Sequence, residues 1–261
     1  MTRWIAVGLL SLLAVPAWAL TGREVIDGAQ KKHGFSTWRD RKVTASMATF
    51  ANGDLTRSRD LDITEQTDPR GEHRTFMAFT GPADVQGTRF LHLSPRGAAD
   101  QQWLFAPTTR RVRRLAESQR DENFFGADLS YRDLELLVRI QQWNDAESTA
   151  TLGPEETIDG HRCHVVTLVP KNEEFPTYSK FVLWFGADDA LLWRVDLFDT
   201  DGKVFKRITP KKYERIGEYA TSMESDVETL PNQTRTAFTF RQVKYDGGVS
   251  ESIFSVSNLD Q

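Results

Sequence analysis

Apolar residues occupy both faces of the strands that this sequence predicts. In the segment 181–185, which enters a turn at 186–189, Val182 and Trp184 alternate with three other apolar side chains. Successive side chains of a β-strand point to opposite faces of the sheet, so neither face of this strand is polar. A sheet with one face in water would instead alternate apolar and polar residues. We therefore expect a curved sheet whose two faces are covered by helices or by a ligand.

Two helices are predicted beside the strands. The first begins with a capping box, in which Thr21 is the N-cap and Glu24 reaches back to it, and it ends at Gly34. The second begins after Ser130, the predicted N-cap, and ends near Trp143. Its apolar face carries Leu134, Leu137 and Val138.

The remaining pattern consists of strands joined by tight turns. Asn52 and Gly53 separate two alternating segments, and this dipeptide is the strongest short-range signal of a hairpin. Further strands are predicted within 74–115 and 148–256, the last of them at 251–256. These segments predict one antiparallel sheet of roughly ten or more strands, and a sheet of that size curls or closes rather than staying flat.

The first residues have the pattern of a secretory signal peptide. A basic start precedes the apolar stretch 5–15, and Ala17-Trp18-Ala19 fits a small-residue cleavage site. We expect residues 1–19 to be removed after Ala19, with a membrane anchor as the alternative. Because position 20 is Leu rather than Cys, a lipoprotein is not expected. The mature chain should therefore be periplasmic.

Charge and motifs exclude several function classes. The net charge of −4 argues against a nucleic-acid partner, which usually requires a basic surplus. His161 and His164 flank the lone Cys163, but three residues along a strand place the two imidazoles on opposite faces, so no shared metal ion is expected. The sequence contains no G-x-S-x-G, H-E-x-x-H or P-loop motif. We predict neither an enzyme nor a cofactor.

An arginine-rich segment and a pair of phenylalanines can each be interpreted in two ways. Arg111 and Arg113 share one face of a predicted strand, which is either a solvated strand end that discourages edge pairing or a docking patch for lipid phosphates or an acidic partner. Phe124 and Phe125 precede Gly126 in a predicted loop. One of these rings either covers the mouth of a cavity or is buried beneath the second helix.

Three segments of the chain carry a family resemblance: Trp103-Leu104-Phe105-x-Pro107 with 110–115, Phe124-x-Gly126-x-Asp128-x-Ser130-Tyr131-x-Asp133-Leu134, and Gly160-x-x-Cys163 to Pro170 followed by Tyr178-x-Lys180 and a Trp184 hairpin that reaches Asp201-Gly202-Lys203. They resemble the LolA-like outer-membrane lipoprotein-sorting family. They run in order from about residue 70 to the C-terminus, with plausible spacing. The resemblance is to the broader family found beside large lipid-exporting transporters, rather than to the dedicated lipoprotein carrier.

The resemblance implies a mainly β fold over a single domain, residues 20–261. The expected architecture is a half-open antiparallel barrel of about ten or eleven strands, with helices plugging its concave side. The implied function is a periplasmic carrier or acceptor that binds acyl chains of lipids or lipoproteins and shuttles them toward the outer membrane. An inner-membrane transporter of the RND type and an outer-membrane acceptor are the expected partners, and the carrier itself is expected to be a monomer.

The candidate residues divide between an apolar pocket and a charged contact. Arg111 and Arg113 are the candidates for head-group or partner contact. One alternative is a lipid-sensing regulatory module of the same fold in the cell envelope. Another is a lipid hydrolase, but the sequence shows no recognisable nucleophile, base or oxyanion hole. The pocket candidates are Trp103, Phe105, Phe124, Phe125, Tyr131, Leu134, Val138 and Trp184.

Overall fold

The structure is a computed structural model that describes residues 20–171 and 175–261. The predicted signal peptide, residues 1–19, lies outside these ranges. In these two ranges, fourteen antiparallel strands form one sheet. They are β1 (Asp40–Ala51), β2 (Asp54–Thr67), β3 (His73–Gly81), β4 (Arg89–Ser94), β5 (Gln101–Ala106), β6 (Arg111–Arg114), β7 (Ser148–Leu152), β8 (Glu156–Ile158), β9 (His161–Pro170), β10 (Lys180–Gly186), β11 (Leu192–Phe198), β12 (Val204–Ile216), β13 (Tyr219–Thr229) and β14 (Thr234–Tyr245).

The sheet is open. Its strand order is β6-β5-β4-β3-β2-β1-β14-β13-β12-β11-β10-β9-β7, and β8 pairs with β9 outside that path. Within the described residues, β6 and β7 do not pair with each other, so the sheet has two ends and matches the predicted half-open barrel. Within the described residues the sheet has fourteen strands rather than the expected ten or eleven, and the three-residue strand β8 was not predicted.

The strand predicted at 251–256 was wrong. This segment forms short 3₁₀ turns at Glu251–Phe254 and Val256–Asn258. The hydroxyl groups of Ser250 and Ser255 each accept a hydrogen bond from the backbone amide two residues later. Such local bonds offer the backbone an alternative to pairing in a sheet.

Both helices begin as predicted. Helix α1 (Gly22–His33) starts with the capping box of Thr21 and Glu24. Helix α2 (Tyr131–Arg139) starts with a second capping box, formed by Ser130 and Asp133. The helix ends four residues before Trp143, and hydrogen-bonded turns continue the chain to that residue.

The helices cover one face of the sheet, which we call the inner face. One apolar cluster joins α1 and α2 to β9–β12, and a second lies under β1–β5 around Phe79, Phe90 and Phe124. Strand β10 confirms the predicted division of faces. Its residues Phe181, Leu183 and Phe185 belong to the inner cluster, whereas Val182 and Trp184 lie on the outer face.

The outer face is covered in two places, which explains why its residues are apolar. Near β3–β6, Phe254 and Leu259 of the C-terminal segment pack against Leu91 and Phe105. Near β9–β11, the short strand β8 brings Ile158 against the outer cluster that contains Trp184. Among the described residues, no helix has the length and apolar character needed to cross a membrane.

Candidate functional site

A cavity of about 330 Å³ lies between the inner face of the sheet and the two helices. This volume is at the lower end of the roughly 300–1,000 Å³ typical of ligand pockets. Its apolar wall comes from both helices and from the central strands of one half of the sheet. The apolar lining residues include Ile26, Ala29, Leu136, Leu137, Ile140, Leu168, Phe181, Leu183, Phe185, Leu192, Val195, Leu197, Ile208 and Phe240.

A buried ion pair at the start of β1 contributes to one side of the cavity. Arg41 lines the cavity and its Nη2 lies 2.5 Å from Glu65 Oε2 on β2. Burial opposes ionisation of Glu65, but the adjacent Arg41 guanidinium outweighs it and lowers the pKa of this carboxyl to about 2. The guanidinium also lies 5.2 Å from the ring centroid of Trp38. This side of the cavity therefore carries a guanidinium group that Glu65 holds in place beside an aromatic ring.

Two tyrosines extend this polar and aromatic side. The rings of Tyr219 and Tyr245, which both line the cavity, have centroids 4.5 Å apart. The hydroxyl of Tyr219 donates to Asp246 Oδ2 at 2.5 Å, and this bond is the main cause that raises the pKa of Tyr219 to about 12. We call Trp38, Arg41, Tyr219 and Tyr245 the aromatic side of the cavity.

Asp133 is the acidic residue of the lining, and its carboxylate is fully engaged. It accepts hydrogen bonds from Tyr178 Oη at 2.6 Å and from the Ser130 amide at 2.7 Å, and Lys206 Nζ lies 2.5 Å away. Burial, followed by the charge of Asp133, raises the pKa of Tyr178 far above its ordinary value. This cluster holds α2 in place and leaves the Asp133 carboxylate little capacity to bind a ligand.

The polar groups at the end of α1 also bond within the protein. Lys32 Nζ donates to the carbonyl oxygen of Asp189 at 3.0 Å, and His33 Nε2 lies 2.9 Å from the same atom. The Phe35 amide donates to Gln141 Oε1 at 3.2 Å. Since these groups satisfy one another, the accessible part of the cavity wall is mainly apolar.

The predicted pocket residues do not line this cavity. Phe124, Phe125 and Tyr131 form an aromatic group under the other half of the sheet, where the centroids of Phe124 and Tyr131 are 5.4 Å apart. Leu134 packs between the two inner clusters, and Val138 is buried on α2. Of the alternatives for the Phe124-Phe125 loop, the structure shows burial of Phe124 and packing of Phe125 against Phe79.

Three further pocket candidates lie on the outer face. Phe105 belongs to the cluster covered by the C-terminal segment, and Trp103 packs against it. Trp184 lies in the cluster on β8–β11, where its indole nitrogen donates to Glu156 Oε2 at 2.9 Å. These three side chains are thus separated from the cavity by the sheet, because neighbouring strand positions face opposite sides. A ligand role for any of the eight residues stays a prediction.

The two candidate arginines lie on the edge strand β6. Arg111 and Arg113 are both exposed, and Arg113 Nη1 donates to Gln119 Oε1 at 2.7 Å. The register places Arg113 opposite Leu104, an inner-face residue, so both arginines project toward the inner side at the end of the sheet. Their contact with a head group or a partner also stays a prediction.

No metal centre is found in the described ranges. There, no three His, Cys, Asp or Glu side chains are grouped so as to hold an ion. His161 stacks on Trp193 with centroids 3.6 Å apart, and His164 Nδ1 lies 3.1 Å from Glu155. Each of the two histidines therefore has a partner of its own.

Sequence reasoning missed the aromatic side of the cavity. Trp38, Arg41, Tyr219 and Tyr245 lie at strand ends, and none stood out in the alternating pattern. One available signal was the presence of an aromatic and a basic residue three apart at the start of the first strand. The pattern could not show that the end of β14 comes back beside this position, where Arg41 pairs with Tyr245.

Comparison with known proteins agrees with this architecture. A family model described as "uncharacterized protein" matches residues 71–261. A DUF1329 family protein from Desulfovibrio piger has a TM-score of 0.83 and 26% identity, covering 91% of this chain and 97% of that chain. A putative outer membrane lipoprotein-sorting protein domain from Vibrio parahaemolyticus has a TM-score of 0.82 and 21% identity, covering 92% and 98%. A LolA superfamily protein from Nitrosomonas europaea has a TM-score of 0.67 and 17% identity, covering 91% and 98%. No curated protein matches the sequence.

Proposed function

The chain belongs to the family of uncharacterized proteins whose model covers residues 71–261, and its fold is LolA-like, as the sequence predicted. From this premise we propose that it is a carrier or acceptor that binds an acyl chain of a lipid or lipoprotein. The binding site is the cavity beneath α1 and α2. Binding and release involve no covalent chemistry.

The observation that carries this proposal is the mainly apolar wall of the cavity. Burying about ten methylenes of an acyl chain contributes roughly 8 kcal/mol before the costs of binding. A net affinity in the micromolar range corresponds to about −8 kcal/mol. The wall therefore suits a ligand that is held transiently and then passed on, which a carrier requires.

The aromatic side of the cavity gives the ligand an orientation. Arg41 carries hydrogen-bond donors and the tyrosine hydroxyl oxygens can accept, whereas the wall near Leu183 and Leu197 offers no polar side-chain atoms. We propose that the acyl chain points toward α2 and β10–β11, and that the ester or amide group of the ligand lies beside Arg41.

The cellular role follows as a finer proposal. We propose that the chain acts in the periplasm after cleavage behind Ala19, as a monomer. It would receive its ligand from an inner-membrane transporter of the RND type and deliver it to an outer-membrane acceptor. The export pattern in residues 1–19 and the similarity in fold to a putative lipoprotein-sorting domain support this role.

Uptake of a fluorescent fatty acid tests the cavity. Leu137 lines it on α2, so Leu137→Trp should fill part of the space and reduce uptake severalfold. The matched control is Leu55→Trp, because Leu55 is exposed on β2 and does not line the cavity. Equal uptake by the wild type and both variants, with unchanged circular dichroism, would remove the basis of the proposal.

Transfer from the loaded protein to acceptor vesicles separates a carrier from a lipid-sensing module. A carrier should release the probe to vesicles within minutes. A sensor of the same fold should retain it until a protein partner is added. Retention in the presence of excess vesicles would therefore favour the regulatory alternative over the carrier.

A further inference from the structure

Arg59 on β2 is a buried cation with little pairing. Its side chain is only 7% exposed, and within the described residues its Nε and Nη1 atoms have no hydrogen-bond partner. Its ion pair is with Asp84, whose carboxylate lies 4.0 Å from Nη2 and is 65% exposed. Buried donors are nearly always hydrogen-bonded in folded proteins, and a charged donor is the most costly to leave without a partner. This guanidinium therefore has unused binding capacity.

A second arginine adds to the positive charge. Arg57 lies two residues before Arg59, so both side chains project from the same face of β2. A Cβ atom built on Gly126 would lie 2.2 Å from Arg57 Nη1, which places this guanidinium directly on the backbone of the loop after β6. Burial and then the charge of Arg57 lower the pKa of Arg59, whereas Asp84 opposes this change only weakly.

The arginine pair is distinct from the cavity. Arg59 is opposite Met47 in the β1–β2 register, while Arg41 of the cavity precedes Met47 by six residues. At about 3.3 Å per residue, the two positions are roughly 20 Å apart along β1. Met47 belongs to the second inner cluster, together with Phe124. The pair thus lies at the opposite end of the inner face, beside the Phe124-Phe125-Gly126 loop.

We propose that Arg57 and Arg59 form a binding site for a phosphate group. A phosphate has several strong acceptor oxygens, so it can accept from both guanidinium groups at once. It also supplies the negative charge that Asp84, largely in solvent, provides only in part. The phosphate can come from the head group of a phospholipid or from free phosphate in solution, since both present the same oxygens.

Thermal unfolding in a titration of inorganic phosphate at constant ionic strength tests the site. Phosphate should raise the unfolding temperature of the wild type saturably. Arg59→Met should abolish the saturable rise, or weaken apparent binding by at least about tenfold, because it removes charge-assisted hydrogen bonds. The control Arg162→Gln removes an equal charge from an exposed position already paired with Glu155 and Asp188, and it should respond like the wild type.

The unliganded variants provide a second readout. Without phosphate, Arg59→Met should be at least as stable as the wild type, because the substitution removes a poorly paired buried charge. Addition of phosphate should then stabilise the wild type relative to this variant. If Arg59→Met fails to fold, Arg57→Gln at an exposed position should still weaken the phosphate response. An unchanged response in both variants, or no response in the wild type, would show that water alone occupies the site.

Vesicle flotation identifies the source of the phosphate. Vesicles of phosphatidylcholine with phosphatidylglycerol should bind the wild type more than Arg57→Gln if the site takes a lipid head group. A response to inorganic phosphate alone, without vesicle binding, would identify a soluble ligand. Fluorescent fatty acid uptake should be unaltered in the Arg57 and Arg59 variants, so loss of the phosphate site and loss of the acyl cavity can be distinguished.

Discussion

Lys206 Nζ lies 2.5 Å from Asp133 Oδ2, and both side chains are buried. The pair joins the first turn of α2 to β12 across the inner side of the sheet. Since α2 forms part of the cavity wall, this contact contributes to the spacing between the helix and the strands. The position of the helix therefore depends on an electrostatic contact as well as on apolar packing.

Removing only the acidic partner of this pair should be strongly destabilising. Asp133→Asn would leave the Lys206 ammonium group buried without its counter-ion, which typically costs about 3–5 kcal/mol. The double variant Asp133→Asn with Lys206→Met should recover part of that loss, because no buried charge remains. Urea unfolding of the two single variants and the double variant measures the coupling. Strictly additive losses would contradict a mutual dependence of the two side chains.

Glu135 predicts a pH dependence of stability. Burial is the main cause that raises the pKa of this carboxyl from its ordinary value of 4.5 to about 7, although Arg120 opposes the rise. Between these two values the unfolded chain has lost the proton and the folded chain keeps it. Stability should therefore fall as the pH rises through this window, by up to about 3 kcal/mol at about 1.4 kcal/mol per pH unit.

Unfolding free energies of the wild type and Glu135→Gln measured from about pH 4 to 8 check this dependence. The unfolding free energy of the variant should rise relative to that of the wild type as the pH increases through the window. Outside the window, the difference between the two should be constant. Glu24→Gln is the control, because hydrogen bonds from Thr21 lower the pKa of Glu24 and confine its effect to lower pH. A constant difference between Glu135→Gln and the wild type would show that folding leaves the pKa of Glu135 unchanged.

The edge arginines should affect transfer rather than uptake. If Arg111 and Arg113 contact lipid phosphates or an acidic partner, reversing both charges with glutamate should slow transfer of a bound acyl probe to anionic vesicles. The effect should be severalfold at low salt and smaller at high salt, because salt screens exposed charges. Uptake of the free probe should change little. Salt-independent transfer equal to that of the wild type would identify a solvated strand end.

The mature N-terminus is a direct test of the predicted export. Expression of the full chain in a Gram-negative host should give a periplasmic protein that begins at Leu20, which N-terminal sequencing detects. The exchange Ala19→Arg should block processing, because the cleavage site requires a small residue. An uncleaved wild-type chain in the inner-membrane fraction would indicate the membrane anchor instead.

Local signals in the sequence predicted local structure well. The capping boxes at Thr21 and Ser130 and the turn at Asn52 act over three or four residues, so their chemistry is visible in the sequence alone. The two apolar faces of β10 were also predicted correctly, because alternation depends only on the geometry of one strand. The fold resemblance extended these local results to the whole sheet.

The location of the cavity could not be predicted in the same way. Alternation assigns Trp184 and Phe185 to opposite faces but does not tell which face encloses space. Phe105 looked like a pocket residue, yet the C-terminal segment covers it after folding into turns rather than a strand. Arg59 was not predicted as a site residue. Its lack of hydrogen-bond partners among the described residues depends on β1 and the loop at Gly126, which surround it only in the folded chain.

The pairing of β1 with β14 determines the order in which the sheet can assemble. Strands β1 to β6 lie in the sheet in chain order, and so do β9 to β14. Each half of the sheet can therefore form by successive pairing of neighbouring hairpins. The contact between Ala51 and Thr234 instead closes a loop of most of the chain. The entropy of closing this loop must be lost before contacts between such distant residues can stabilise the chain. We therefore expect two early-forming meanders and a rate-limiting pairing of β1 with β14, so substitutions along that pairing should slow folding most.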